Sequence, residues 1–359
     1  MVKNKTRKIL TFLLAVLALS GCEKETITPT RVESAASKFD FPQGTSPSDD
    51  VIKDIYEKYG VKLIYKDFTQ KDMDRAWKSP EGESFISTRC DWKYLDVDTQ
   101  LDPAISILQE KVFGLLPENV VRAALRSCPY IYVADDIHYI TGSRVKMSVY
   151  PVKALDSWTV SLGLDYQQPD NYSTRVVYPA QIMLEMFVYA YVEGAITMPS
   201  GFFDGLDTYG MTITSRNEAK AAGEGTLDYQ NYWARRGFLP FISPESGRIF
   251  TGPSSPSCSI NVTPMHLLGT AAREIPQFFL FLCLDTHWKE YFEPGNIFED
   301  CPKLQARLDM FNNRMKDVYG IDFDVIREKL YENSTVDRTP DRYAATSDSG
   351  NPSFIYGDY

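Results

Sequence analysis

The segment QIMLEMFVYAYVEG, from Gln181 to Gly194, is the feature that most restricts how this chain can fold. Between Ile182 and Val192 every residue except Glu185 is apolar or aromatic, which predicts a helix buried on all sides. The segment is shorter than the roughly 20 residues that a membrane-spanning helix needs. A carboxylate inside such a helix is unfavourable unless it is paired. The sequence therefore predicts a core helix whose single acidic side chain needs an explanation.

Length and composition are those of a globular protein. The chain has 359 residues, of which 43% are hydrophobic and 24% charged, enough for one large domain or two smaller ones. Its formal charge is −10, and loss of the four basic residues among the first 21 would leave −14. Such a charge argues against nucleic acid and anionic membrane surfaces as partners.

The N-terminal segment MVKNKTRKILTFLLAVLALSGC has the pattern of a secretory signal peptide. A basic start is followed by an apolar run from Ile9 to Leu19, which is too short for an uncleaved membrane span. The sequence from Leu19 to Cys22 resembles a bacterial lipobox. We therefore expect removal of residues 1–21 and acylation of Cys22, which would anchor the protein in the outer membrane through lipid.

The residues after Cys22 predict a tethered domain on the cell surface. Glu23 and Glu25 resemble the export signal of surface lipoproteins in Bacteroidetes. Residues 22–45 lack apolar periodicity and are expected to form a flexible tether. The domain is expected over residues 46–331, and the polar residues 332–359 are expected to be a disordered tail.

Local signals predict an α+β domain, with an N-terminal mixed sheet and helices followed by a helical C-terminal part. Ser46 as N-cap, Asp49 three residues later and Gly60 as a stop predict the first helix, and VKLIYKDF predicts a strand after it. Further helices are predicted over residues 103–115, 117–125, 264–284 and 303–319 and in DFDVIREKL, and strands in YIYVAD and HYITGSRVKMSVYP, separated by a turn.

The order of these segments resembles that of the zinc metallopeptidase lipoproteins of Bacteroidetes, the substrate-import-associated metallohydrolases encoded beside starch-utilisation-type import systems. The similar segments are the opening helix from Ser46 followed by YGVKLIYKDF, then IMLEMFVYAYVEG, YWARRGFLPF, EIPQFFLFLCLDT and YGIDFDVIREKL, which together span residues 46–330. The resemblance implies a zincin-like metallopeptidase fold. It also implies a role beside a TonB-dependent transporter and its partner surface lipoprotein.

The defining motif of that family is HExxH, in which two histidines bind Zn²⁺ and the glutamate activates a metal-bound water. The matching residues here are LEMFV, so Glu185 is kept while Leu184 and Val188 replace the histidines. The resemblance implies a third ligand within REIPQ, at Glu274 or Gln277. We therefore expect no cofactor and a catalytically degenerate site. Glu185 would then be a remnant, held by an Arg or backbone donors or placed at the edge of the packed face.

Other metal and catalytic motifs are weak or missing. Of the three histidines, none begins HExxH, and His287 with Glu290 is expected to be a solvated pair. The acidic loop DVDTQLD lacks the glycine and final glutamate of an EF-hand and is expected to be solvated. No GxSxG, P-loop or GxGxxG sequence occurs. Five cysteines follow Cys22 without a CxxC pair and are expected to be structural; they are Cys90, Cys128, Cys258, Cys283 and Cys301.

The favoured function is an accessory or binding component of a TonB-dependent nutrient import system. One alternative is an active metallohydrolase or peptidase, with zinc, or a glycan hydrolase based on two carboxylates, whose spacing in sequence is not fixed. Another is a glycan- or peptide-binding module in which exposed aromatic side chains stack on the ligand. The candidates for stacking are Trp158, Tyr166, Tyr172, Tyr232 and Trp233.

Overall fold

The computed structural model describes residues 39–73, 90–139, 145–146, 152–153, 156–163, 176, 178–204, 234–235, 237, 239, 271–296 and 298–332. The helices are α1 (Pro47–Tyr59), α2 (Gln70–Met73), α3 (Leu101–Leu108), α4 (Glu118–Ala124), α5 (Tyr178–Val192), α6 (Ala271–Leu284), α7 (Pro302–Tyr319) and α8 (Phe323–Tyr331). A π-helical turn at Gln109–Phe113 continues α3, and a 3-10 turn lies at Glu290–Phe292. The strands are β1 (Lys62–Ile64), β2 (Cys90–Tyr94), β3 (Tyr130–Tyr139), β4 (Val145–Lys146), β5 (Val152–Lys153) and β6 (Ser157–Ser161).

These elements form the mixed α+β arrangement that the sequence predicts, with one mixed sheet and a helical C-terminal part. In the described part of the chain, no helix is both long enough and apolar enough to cross a membrane. The signal peptide with Cys22, most of the expected tether and the C-terminal tail after Glu332 lie outside the described residues. The predictions about them stay predictions.

Helix α1 begins and ends where the sequence predicts. The Ser46 backbone N–H donates to the Asp49 carboxylate at 2.9 Å while the Ser46 hydroxyl accepts from the Asp49 N–H, which is a capping box. Gly60 ends the helix with a φ of 80°, a left-handed conformation that favours glycine. The Tyr65 hydroxyl donates to Asp49 at 2.9 Å, so the N-terminus of α1 is tied to the residue after β1. Gln43 is also buried and bonds the Tyr65 N–H, so ordered contacts of the domain already begin there.

Strand β3 is the centre of the sheet. It pairs in parallel with β1 and β6 and antiparallel with β2 and β4, and β5 pairs antiparallel with β6. Both β2 and β6 pair with Ala134, so they lie on opposite sides of β3. Sequence signals predicted neither β2 nor β6.

A bulge replaces the turn that was predicted within the β3 region. Lys93 pairs with Asp136 and Tyr94 pairs with Ala134, so Asp135 is the extra residue on β3. The prediction of two strands separated by a turn at this point was wrong. A bulge accommodates one extra residue while the strand stays extended, so a pair of aspartates does not need to end it.

The helices other than the short α2 form the core with one face of the sheet. Ile131 on β3 and Trp158 on β6 belong to this core, as do most side chains of α5. Phe187 of α5 contacts Phe279 of α6 and Phe311 of α7, with ring centroids 4.7 and 5.9 Å apart. Helix α5 therefore lies between the sheet and the C-terminal helices.

An aromatic cluster, made of Phe68, Trp92, Tyr94 and Tyr132, lies on the other face of the sheet. Phe68 is stacked with Trp92 and with Tyr132 at centroid distances of 4.9 and 5.0 Å. Tyr94 meets Phe68 and Trp92 edge to face at 5.0 and 4.8 Å. None of these four side chains belongs to the core on the helix side, so the two faces of the sheet have separate packing.

Two buried cations fix chain segments by binding backbone carbonyls. The Arg307 guanidinium donates to the carbonyls of Phe202 and Gly237, and it lies 4.4 Å from the Phe202 ring centre. The Lys111 ammonium, in the π-helical turn, donates to the Leu330 carbonyl at 2.8 Å, near the C-terminus of α8. A cation at a helix C-terminus is favourable because the last carbonyls carry partial negative charge.

Gly163 offers a direct test of the packing at the end of β6. A Cβ atom there would lie 1.4 Å from Asp135 Oδ1 and 2.5 Å from the Asp135 carbonyl oxygen, so the backbone would have to shift. We expect Gly163→Ala to lower the free energy of unfolding by about 2–3 kcal/mol, measured by urea denaturation. Gly60→Ala is the matched control, because open space surrounds Gly60 and only its positive φ opposes a side chain, at about 1 kcal/mol. Equal losses in the two variants would contradict the close approach of Asp135 to Gly163.

Candidate functional site

The helix that was predicted to be buried on all sides reaches the surface along one face. Most side chains of α5 are buried, but Glu185, Val188 and Tyr189 are only partly buried and Val192 is 51% exposed. The prediction of complete burial was therefore wrong for this face. Glu185 lies at the edge of the packed face, which is one of the two positions considered for it. A charge at the edge keeps part of its hydration, which lowers the cost of placing it in a core helix.

Contacts at both ends of α5 hold the helix against strand β6. The Tyr178 hydroxyl accepts the Ser161 backbone N–H at 2.9 Å, and Tyr189 packs on Trp158 with ring centroids 5.6 Å apart. Phe187, which contacts α6, lies two residues after Glu185. Two residues turn a helix by about 200°, so Glu185 points away from α6 at that level.

The chemistry of the α5 face does not fit zinc. Leu184 is buried and Val188 is partly buried, one turn apart, and both side chains end in alkyl groups that cannot donate electron pairs to a metal. Glu185 supplies one carboxylate between them. Among the residues that the structure describes, no three His, Cys, Asp or Glu side chains are grouped in a way that could hold a metal ion.

Several predicted site residues lie outside the described part of the chain. Tyr232 and Trp233 are among them, and so are the side chains of Glu274 and Gln277, although the backbone of both belongs to α6. Their assignment as ligand-binding residues stays a prediction. Cys22, the predicted lipidation site, also lies outside.

Trp158 was expected among the exposed aromatic residues, and this expectation was wrong. Its side chain is only 2% exposed and belongs to the core between β6 and α5. The sequence SWTVS gives a five-residue strand that is buried on both faces, so no polar face marked it as a strand. Tyr166 and Tyr172 lie outside the described residues.

Gln181 is a residue of this helix that sequence reasoning missed. It is fully buried, and neither its Nε2 nor its Oε1 atom has a hydrogen-bond partner among the described residues. A buried polar group left without a partner costs about 1–3 kcal/mol. Gln181 lies one turn before Glu185 and therefore on the same face of α5. Its position at the start of an otherwise apolar segment was the signal that could have identified it.

The remaining polar candidates have structural roles. His287 Nδ1 lies 2.8 Å from Glu290 Oε1, and both side chains are partly exposed, which confirms the predicted solvated pair. In the acidic loop, Asp98 donates its N–H to Asp96, and Asp102 accepts from Ser48. Asp96 and Asp102 each accept one hydrogen bond here, and Asp96, Asp98 and Asp102 are all exposed, so the acidic loop is solvated as predicted.

Three cysteines, Cys128, Cys283 and Cys301, have described side chains, and all three are buried and outside any disulfide. Their burial fits the structural role that was expected of them. Burial raises the pKa of Cys128 to about 12 and also raises the pKa of Cys283 far above its ordinary value. Both thiols therefore stay protonated at neutral pH and are poor nucleophiles.

Comparisons with known proteins give one distant structural similarity. No protein-family profile matches the chain, and no curated protein matches it in sequence. Among solved structures, the chain is similar to a protein of Bacteroides caccae that is provisionally described as a zinc-binding metallo-peptidase. The two are 13% identical with a TM-score of 0.41, over 83% of this chain and 95% of that one. A similarity this distant assigns neither an activity nor a metal to this chain.

Replacing Gln181 tests whether its amide lacks a partner. We expect Gln181→Leu to raise the free energy of unfolding by about 1–2 kcal/mol, because an apolar side chain of similar length removes the unsatisfied groups. Gln181→Glu is the control, since a carboxylate at the same place should destabilise the fold. Urea denaturation of the three proteins measures both effects. A loss of stability in Gln181→Leu would show that the amide is already hydrogen-bonded in the folded protein.

Proposed function

We propose that this chain is a surface lipoprotein whose zincin-like domain binds a nutrient, without hydrolysing it, for a TonB-dependent import system. The observation that carries the proposal is the chemistry of the α5 face. Glu185 stands at its partly exposed edge, and alkyl side chains occupy both positions where a zinc peptidase needs imidazoles.

The groups on this face are suited to holding a ligand. A glutamate activates water in zinc peptidases because the metal lowers the pKa of the bound water, and a carboxylate between Leu184 and Val188 has no such water to activate. The partly exposed Glu185 carboxylate contributes hydrogen-bond acceptors, whereas the Gln181 amide one turn before it is fully buried and does not reach a ligand. A carboxylate at the surface orients a bound molecule by accepting hydrogen bonds from it.

Arg307 supports a second part of the proposed binding site. Its guanidinium holds the Gly237 carbonyl, and Gly237 follows Tyr232 and Trp233 by only a few residues. We propose that these two aromatic residues contact the ligand and that Arg307 fixes the chain segment after them. Arg307 would then be a positioning residue and would not itself touch the ligand.

Location and partners follow from the N-terminal sequence and the charge. A lipid on Cys22 would hold the domain at the outer membrane, on the cell surface. An acidic domain has no electrostatic attraction to anionic headgroups, so the attachment would depend on that lipid. The proposed partners are a TonB-dependent transporter and the surface lipoprotein that works with it.

Anchoring and partnership are tested together by Cys22→Ala. We expect the wild-type protein to remain in the outer-membrane fraction and, after mild solubilisation, to bring down a TonB-dependent transporter and a second surface lipoprotein. The variant should be released, because a non-acylated protein lacks the lipid that holds it at the membrane. Cys22→Ser is a second variant with the same expectation. Membrane retention of both variants would contradict the lipid anchor, and recovery of neither partner by the wild type would contradict the import role.

A further inference from the structure

Tyr94 is an exposed aromatic side chain that is nevertheless held in one position. It is 45% exposed, whereas Phe68 and Tyr132 beneath it are almost fully buried. Its hydroxyl donates to the Phe68 carbonyl oxygen. Its ring meets the rings of Phe68 and Trp92 edge to face at 5.0 and 4.8 Å. These contacts fix both ends of the side chain while part of its surface faces solvent.

We propose that the exposed surface of Tyr94 is a stacking site for a neutral sugar ring. The C–H groups on one side of a pyranose form a flat apolar surface, and an aromatic ring carries negative charge density on its face. A ring that is already fixed loses little conformational freedom on binding, so more of the contact energy remains as affinity.

Carboxylates beside Tyr94 supply acceptors for sugar hydroxyl groups. Asp67 directly precedes Phe68, whose carbonyl accepts the Tyr94 hydroxyl. Burial, and to a lesser degree the Asp67 carboxylate, raise the pKa of Tyr94 above its ordinary value. Asp67 is exposed and has a φ of 61°, in the left-handed region. Asp96 and Asp98, both exposed, follow Tyr94 within one short turn. An aromatic surface bordered by carboxylates offers a sugar both an apolar contact and hydrogen bonds.

The same geometry disfavours other occupants. The rings of Phe68, Trp92 and Tyr94 are in contact with one another, so they do not enclose space for an ammonium group. The bulge at Asp135, opposite Lys93 and Tyr94, interrupts the register between β2 and β3. Both a bulge and a lysine on the strand oppose the addition of a peptide strand. The surrounding carboxylates repel phosphate.

This inference stands apart from the proposed function of α5. Trp158, which contacts α5, belongs to the core on the helix side of the sheet, whereas the aromatic cluster belongs to the opposite face. Sugar binding at Tyr94 is therefore open to test whether or not the α5 face binds a ligand.

Native electrophoresis of the purified full chain through gels that contain a neutral polysaccharide tests the inference. Dextran, amylopectin, galactomannan and arabinoxylan are the probes, with polygalacturonate as a charged comparison. We expect at least one neutral polysaccharide to retard the wild type, and Tyr94→Ala to weaken that binding about tenfold. Tyr94→Phe should keep most of the affinity because the ring remains.

Tyr56 provides a matched control, because it is 39% exposed and packs on Phe41, outside the aromatic cluster. Tyr56→Ala should bind like the wild type. If Tyr94→Ala proves unstable in thermal unfolding, Asp67→Asn replaces it. Asparagine tolerates the positive φ of residue 67, so this variant should fold. It should weaken binding severalfold because the carboxylate is lost. Failure of every neutral polysaccharide to retard the wild type would overturn the proposal. So would equal binding by the wild type and the Tyr94 or Asp67 variant.

Discussion

Burial of helix α5 between the sheet and the C-terminal helices is the interaction on which the rest of this domain depends. Its apolar side chains contact Trp158 on β6 through Tyr189, and Phe279 and Phe311 on α6 and α7 through Phe187. Each fully buried large apolar side chain contributes about 1.5–3 kcal/mol relative to exposure. A helix packed on both sides leaves only a narrow strip for polar groups. That strip is where Glu185 lies, so the position of the acid follows from the packing.

Polar contacts fix the loops and helix ends that apolar packing does not hold in place. Arg307 and Lys111 are buried cations, and both donate to backbone carbonyls of segments distant in sequence. Hydrogen bonds from charged donors to carbonyls stabilise by about 1.5–3 kcal/mol when they form, and losing one partner leaves the other unsatisfied. Such bonds fix loops and helix ends that have few apolar side chains. By contrast, the Gln181 amide has no partner among the described residues, which makes its place on the α5 face unusual for a purely structural residue.

Some elements were predictable from the sequence because their signals are local. The capping box at Ser46 and the glycine at the end of α1 act over a few residues, and the structure confirms that helix as well as the helix predicted over residues 303–319. Strands β2 and β6 were missed because a short strand depends on its neighbours, which periodicity does not reveal. The bulge at Asp135 and the burial of Trp158 also arise from pairing across the sheet. On the α5 face, Glu185 was found from its apolar context, whereas the unsatisfied amide of Gln181 becomes visible only when its surroundings are known.

We propose, as the central claim, that α5 carries a binding face and not a zinc centre, and zinc affinity tests this proposal most directly. Elemental analysis of the mildly purified wild type should find no stoichiometric zinc. A second measurement compares two double variants. If Glu274 or Gln277 supplies a third ligand, the variant Leu184→His with Val188→His should bind zinc at least about tenfold more tightly than the variant Tyr189→His with Glu193→His. The second pair has the same spacing at the exposed end of the helix, where the Glu193 N–H still donates to the Tyr189 carbonyl at 2.9 Å. Equal zinc affinities of the two double variants would show that neither Glu274 nor Gln277 supplies the third ligand. One zinc per wild-type chain, lost in Glu185→Ala, would contradict the central claim.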